Sequence, residues 1–313
     1  MAQTTGNSAH IIRSEIYSNQ LKEELLDETM GMKYVNWLSE FPDGDTFTIP
    51  SVGQAAGPDD YTEDSAVKYH ALDTGEFQFA MTAYLSSGHY ITKKARQDAF
   101  YSAQLEAGFV PKEARAIMVR LESDIFALQS QQTASGLNNI NGAPHRWVAG
   151  GTNQIITVTD FAKAKYSLKK ANVPDTNLIA IVDPSVEFTL NTLTNLVNVS
   201  DNPRWEGIVS DGIATGMKFI KNIYGFDVYT SNYLDDVASE TVDSVAVVDG
   251  KANLFFSAAS DILPFVGAWR QLPEVDSQYN QDFQREEYVT TARYGVKLYR
   301  PENLITVLSE IHI

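Results

Sequence analysis

The feature that most constrains this chain is a period-two alternation across residues 77–85. Phe77, Phe79, Met81, Ala83 and Leu85 hold one set of alternate positions, and Gln78, Ala80, Thr82 and Tyr84 hold the other. Successive side chains of a strand point to opposite faces, so the pattern predicts an extended strand with one apolar face. An earlier strand, Thr46–Ile49, is closed by Pro50, and the intervening stretch Gly53–Thr74 is rich in Gly, Ala, Asp and Glu. Residues 44–92 therefore read as a long hairpin whose poorly packed, acidic tip carries Asp59, Asp60, Glu63 and Asp64. A ten-residue arm reaches about 33 Å, and a lone two-stranded ribbon of that reach is marginal in water. It needs a surface to lie on, which another subunit would supply.

The second strong signal is helical. Ala114, Ile117, Met118, Leu121, Ile125 and Leu128 form one apolar stripe over Pro111–Gln132, a helix of about 33 Å. Pro111 falls where a first helical turn favours proline. A shorter helix is expected over Thr92–Ala107, stopping at Gly108, and another over Ser14–Phe41, interrupted at Gly31 and ended by Pro42-Asp43-Gly44.

Residues 133–157 read as loop. Thr159-Asp160 caps a helix to Ala171, Leu178–Val182 is a buried strand, and Pro184 opens a helix to about Leu196. Phe219–Tyr229 reads as strand broken at Gly225, and Val242–Val248 and Leu254–Phe256 as strands around a turn at Asp249-Gly250-Lys251. Ile262–Leu272, Phe283–Thr291, Val296–Tyr299 and Leu304–Ile313 look extended, with Pro273–Gln281 a polar loop. The fold class is α+β.

Composition narrows the function. The formal charge of −16 repels phosphate backbones, so nucleic-acid contact is expected to be local and weak. The absence of cysteine removes disulfides, thiolate zinc sites and cysteine nucleophiles. No signal peptide and no apolar run of membrane-spanning length is visible, so no membrane partner is expected and a cytoplasmic setting fits. The histidines, His10, His70, His89, His145 and His312, have no ligand spacing, and no phosphate-binding glycine loop or nucleophile elbow occurs. We expect no enzyme, no cofactor and no metal.

The clusters Glu23/Glu24/Asp27/Glu28 and Asp59/Asp60/Glu63/Asp64 lack calcium-loop spacing and read as solvated surface. Lys163, Lys165, Lys169 and Lys170 make one helix basic, most simply a solvated face. Asn198-Val199-Ser200 matches a glycosylation triplet without a secretion signal to support it. Asp183 and Glu187 form a carboxylate pair at a strand end, where an α/β enzyme would bind ligand. Asp183 before Pro184 equally suits a helix cap.

The order of these elements resembles the Hong Kong 97 fold of tailed-bacteriophage major capsid proteins. Arg120–Phe126 is similar to the end of that fold's spine helix. Gly212 through Gly225-Phe226 to Ser231-Asn232 is similar to its glycine, apolar strand, Ser-Asn passage, and Tyr294–Glu302 to its C-terminal strand. The resemblance covers nearly the whole chain. It implies an N-terminal arm at 1–43, an extended loop at 44–92, and a peripheral domain at 93–157 with its spine helix at 111–132. An axial domain at 158–253 and a return to the peripheral domain at 254–313 complete it.

The function implied is a coat protein of the virion, assembled in the host cytoplasm. It would form hexamers and pentamers in an icosahedral head around double-stranded DNA, touched non-specifically from inside. Portal and scaffolding proteins are the implied partners. The alternatives are an encapsulin-type compartment, another virion or tail protein, or, further off, an enzyme. The loop Asn198–Gly216, with Arg204 and Trp205, would face the capsomer centre or be anchored by a half-buried Trp. Leu272–Phe283 would face a three-fold junction. A few family members cross-link a hairpin lysine to a neighbour's asparagine with a glutamate as base. Lys68, Asn280 and Glu287 are the corresponding candidates, although Lys68 more simply balances the acidic tip.

Overall fold

The computed structural model describes residues 29–38, 46–52, 59–60, 63–64, 66–67, 69–70, 74–98, 102–133, 136–192 and 219–310. Two sheets share one long helix. The first sheet has the order β1-β11-β12-β4, built from β1 (Val35–Leu38), β4 (Ala83–Thr92), β11 (Phe265–Asn280) and β12 (Arg285–Leu298). The second is seven-stranded. Its path runs β5 (Arg146–Val148), β13 (Ile305–Glu310), β10 (Val245–Ser257), β6 (Leu178–Val182), β8 (Phe226–Thr230) and β7 (Phe219–Ile223), and β9 (Asp236–Val242) pairs with β10. A separate ribbon joins β2 (Thr46–Val52) to β3 (Thr74–Ala80). The helices are α1 (Lys93–Asp98), α2 (Ser102–Phe126), α3 (Val158–Lys170) and α4 (Pro184–Thr192).

Helix α2 lies between the sheets because its stripe fits both. Leu121, Ile125 and Phe126 pack with Tyr294 and Phe265 of the first sheet and with Ile179, Ile181, Leu254 and Phe256 of the second. The other face of the second sheet buries Leu178, Ala180, Val182 and Phe255 against Phe161, Ala164 and Leu168 of α3 and Val186 and Leu190 of α4. A strand covered on both faces has no polar positions to alternate, so Leu178–Val182 reads as an unbroken apolar run. Helix α3 starts at a capping box in which Asp160 accepts the N–H of Thr157 at 2.8 Å.

Several expectations are corrected. From Gly31 the predicted helix gives way to a 3-10 turn, Gly31–Tyr34, and then to β1, which pairs parallel with Phe265–Ala268. Pairing and the stacking of Trp37 on Trp269 at 5.4 Å outweigh helical propensity there. The part of that helix before residue 29 lies outside the described residues.

Helix α2 does not stop at Gly108 or begin at Pro111 but runs through both. Propagating a formed helix adds a bond per residue, and the packed C-terminal half supplies the nucleus that a separate short helix would lack. The helix turns 3-10 at Ala127–Gln131.

The loop expected at 133–157 contains β5, whose Arg146 is buried and donates to Glu240 of β9 at 3.0 Å. The strand expected at 242–248 is a hairpin turning at Asp243-Ser244, and Asp249-Gly250-Lys251 lies inside β10. Gly250 permits this because a Cβ there would sit 2.0 Å from the Ser309 carbonyl of β13. Pro273–Gln281 is no loop, since β11 continues through Asn280 in register with β12 and the turn falls at residues 281–284.

The alternation over 77–85 holds in burial, yet it serves two sheets. Phe79 and Met81 are buried while Gln78, Ala80, Thr82 and Tyr84 are exposed, and the strand breaks at 81–82 where the chain passes from the β2–β3 ribbon to β4. Gly295 makes the crossing possible, because a Cβ there would lie 2.6 Å from the Ala80 carbonyl.

Candidate functional site

The surfaces that matter are set by the two faces of the first sheet. Residues opposite one another on paired strands share a face. One face holds Leu85, His89, Tyr288, Thr290, Ala292 and Tyr294 and is covered by α2. There His89 Nδ1 lies 2.5 Å from Glu113 Oε1, Thr290 Oγ1 donates to the other oxygen at 2.7 Å, and His89 stacks on Tyr288. Tyr294 donates to Asp124 at 2.6 Å, and burial with that carboxylate nearby pushes its phenol up.

The other face carries Tyr90, Glu287, Asn280 and Arg285. At its base it is covered by Phe79 and Met81 against Val266 and Ala268. The hairpin root and the helix layer therefore lie on opposite faces of one sheet.

Near the turn between β11 and β12, Asn280 and Glu287 come together. Asn280 Nδ2 donates to Glu287 Oε1 at 3.2 Å, while Asn280 Oδ1 accepts the N–H groups of Asp282 at 3.1 Å and Phe283 at 3.4 Å. Arg285 Nε donates to Glu287 Oε1 at 2.5 Å, and its guanidinium lies 4.4 Å from the Tyr90 ring and 4.7 Å from the Phe283 ring. Leu272, Tyr90 and Phe283 are exposed.

On the hairpin, Asp59 pairs with His70 at 2.6 Å, and Asp60, Glu63 and Asp64 are exposed. Among the described residues no group of acidic or histidine side chains is arranged to hold a metal. Two apolar side chains there escaped the sequence reading: Val67 is 63% exposed and Tyr69 94%. Their signal was available as apolar residues beside the acidic residues of the tip. Lys68, Arg204, Trp205, the loop 198–216, His10 and His312 lie outside the described residues.

A buried carboxylate also went unread. Glu122 is fully buried, and its two oxygens accept the N–H groups of Met30 at 2.8 Å and Gly31 at 2.6 Å. Burial pushes it up, against the lowering pull of those N–H groups and of Lys33. It presses in turn on Tyr34, whose phenol is raised to about 12, first by burial and then by Tyr229 and Glu122.

The enzyme alternative finds a simpler account. Asp183 Oδ2 accepts the Ser185 N–H at 2.9 Å and so caps α4. The lysines of α3 are engaged within the subunit. Lys169 and Lys165 lie 2.9 and 3.5 Å from Asp175, holding that carboxyl low, chiefly through the Lys169 hydrogen bond. Lys163 sits 4.4 Å from the Trp147 ring. His145 is buried, which pushes its imidazole down.

Residues 105–307 match a family described as phage capsid protein. In fold, the chain is similar to a structure from Mycobacterium phage Che8, with TM-score 0.65 and 18% identity over 94% of this chain and 96% of that one. It is similar to the capsid of cyanophage P-SCSP1u, with TM-score 0.69 and 14% identity over 99% and 96%. The mature capsid of bacteriophage PhiM1 gives TM-score 0.67 and 11% identity over 95% and 92%. No curated protein matches the sequence significantly.

Proposed function

This chain belongs to the phage capsid protein family, and on that premise we propose that it works through surfaces a lone subunit leaves uncovered. It is a structural protein of the virion with the Hong Kong 97 fold, and it self-assembles into the shell of a phage head. In our reading the shell is icosahedral, made of hexamers and pentamers around the axial domain at 158–253. It encloses double-stranded DNA, performs no catalysis on a substrate, and assembles in the host cytoplasm with portal and scaffolding proteins.

The observation that carries this reading is the hairpin. Tyr69 and Val67 are large apolar side chains in open solvent, and exposed apolar groups on a long unsupported ribbon are stabilised by lying on a second copy. Tyr90 and Phe283, exposed on either side of the Arg285 guanidinium, would receive it. Ring contacts of this kind join different patches and close only at the right angle. Sedimentation of the full chain tests it. The wild type should run as capsomers or shells, and a Val67→Ser/Tyr69→Ser variant should shift to slower species with an unchanged thermal transition. An unchanged sedimentation profile in the variant would contradict the hairpin's role.

A second reading adds a covalent lock, favoured by the Asn280–Glu287 contact. The Asn280 carbonyl faces two backbone N–H groups that would stabilise an oxyanion, and its amide nitrogen faces a carboxylate. A neighbour's Lys68 amine would attack Asn280 Cγ. The new C–N bond forms, the bond to Nδ2 breaks, and Glu287 relays the amine proton so that ammonia leaves. Arg285 shares the same Glu287 oxygen and must yield part of that contact. A ladder of oligomers on a denaturing gel, lost in Lys68→Arg, supports the lock. A single band at 34.7 kDa from mature particles dismisses it.

A further inference from the structure

The hairpin leaves the subunit over alternate residues of β12. Gly295 and Lys297 lie opposite Ala268 and Val266 of β11, on the face that carries the hairpin root, and Tyr299, just past the end of β12, packs on the same cluster. Strand β3 rests on this row. Gly295 leaves room for the Ala80 carbonyl, which a Cβ there would approach to 2.6 Å. Lys297 Nζ donates to the Gln78 carbonyl at 2.7 Å and lies 4.7 Å from the centre of the Phe77 ring. Tyr299 meets the same ring edge-on at 5.0 Å. Side chains two apart on a strand share a face, so these supports stand in line. They fix a direction for the ribbon as well as a place.

The support ends at Phe77. Phe79 is buried and Phe77 half-buried, whereas Gly75 and Glu76 are exposed. Lys297 therefore grips the ribbon close to the point where it departs. Its described polar contact is to the hairpin, 219 residues away along the chain. An ammonium donating to a carbonyl makes a charge-assisted hydrogen bond, about twice as strong as a neutral one. The ring face beneath the amine adds to the attraction.

We infer that Lys297 is the positioning residue of the hairpin: it sets the direction in which the ribbon leaves the subunit, and so where Val67 and Tyr69 meet a neighbouring copy. This rests on the shell reading and deepens it by naming what aims the hairpin. A tilt at the root grows along the ribbon, and a ten-residue arm carries it about 33 Å outward. Without the Lys297 bond, Phe79 and Met81 keep their packing on Val266 and Ala268, so the fold survives while the direction spreads. The loss then falls on assembly, because contacts between different patches close only at the right angle.

The chain contains no cysteine, so Glu63→Cys on the hairpin and Gln278→Cys on β11, both exposed positions, give unique attachment points for spin labels. The distance distribution between the labels is measured on dilute, unassembled full chain, and assembly of the unlabelled chain is followed by light scattering. With Lys297 present, one narrow distance is expected. Lys297→Met keeps a stem over Phe77 but loses the donor. It should broaden the distribution and slow assembly about tenfold, the factor for one lost charge-assisted hydrogen bond, at an unchanged urea midpoint. Lys297→Arg, whose guanidinium donates and stacks, should restore both. If the Met variant unfolds early, Phe77→Leu, which removes the ring beneath the amine, takes its place and should broaden the distribution likewise. A distribution as narrow in both variants as in the wild type overturns the inference, as does a broad one that Lys297→Arg fails to narrow. Broadening with an unmoved assembly rate upholds Lys297 as the residue that aims the hairpin and overturns the hairpin's part in the shell.

Discussion

Glu122 accepts the backbone N–H of Gly31 at 2.6 Å in the buried space between the two sheets. Gly31 is required there because a Cβ would lie 2.7 Å from the same carboxylate oxygen. With Met30 held by the second oxygen, the contact fastens the segment leading into β1 to the C-terminal turn of α2.

Removing that carboxylate leaves two buried N–H groups unpaired. Glu122→Ala should cost about 2–5 kcal/mol, the sum of lost hydrogen bonds and desolvation penalties, read from urea unfolding of the unassembled chain. A loss under about 0.5 kcal/mol would show that the contact to Met30 and Gly31 contributes little to stability.

The same group makes stability depend on pH. Burial raises the Glu122 carboxyl, so the folded state binds its proton more tightly than the unfolded state does. Its favourable contribution is complete below the ordinary carboxylate value and is lost as pH rises through the raised one. Glu122→Gln cannot titrate, so the stability difference between wild type and variant should move against the wild type from pH 4 towards neutrality. Parallel pH profiles for the two proteins would refute this.

Tyr34, raised to about 12, gives an alkaline counterpart. Its stabilising contribution persists below the ordinary phenol value and disappears as pH climbs through about 12. In an absorbance titration of phenolate, Tyr34→Phe should remove one late-titrating tyrosine and leave the early ones unchanged. Loss of an early one would place Tyr34 in solvent.

Gly295→Ala should loosen the hairpin root. The new methyl meets the Ala80 carbonyl at 2.6 Å and the ring of Phe79, a member of a packed cluster, at 3.1 Å. Overpacking of this kind costs about 1–3 kcal/mol. Gly88→Ala on the exposed face of β4, where the nearest atom is 3.4 Å away, should cost less. Equal losses would deny the tight crossing.

His89 and Glu113 tie β4 to α2, and a double-mutant cycle of His89→Ala and Glu113→Ala should give a coupling of about 1–2 kcal/mol. Additive effects would mean that the 2.5 Å contact carries no net energy.

What was legible in the sequence was local. Period-two alternation at 77–85 and the Leu178–Val182 run gave their burial directly, because strand geometry alone sets which side chains turn inward. The turn at Gly225 was likewise readable from short-range chemistry, whereas the cap expected at Thr159-Asp160 falls at Thr157, with Asp160 answering it from the first turn of α3. Long-range pairing was not. The break at 81–82, the strand through Pro273 and the short β1 all depend on partners far along the chain, such as Gly295, Thr291 and Phe265. Of the candidate site, Asn280 and Glu287 were named and do meet. Glu122 was passed over because an acid in a helix reads as surface until the segment that buries it is placed.

The most direct measurement is electron microscopy of the chain expressed alone, in dilute buffer and under crowding. Closed spheres, tubes or rings of six subunits are predicted. A discrete monomer or dimer under both conditions would contradict a chain that builds a shell by laying its hairpin on its neighbour.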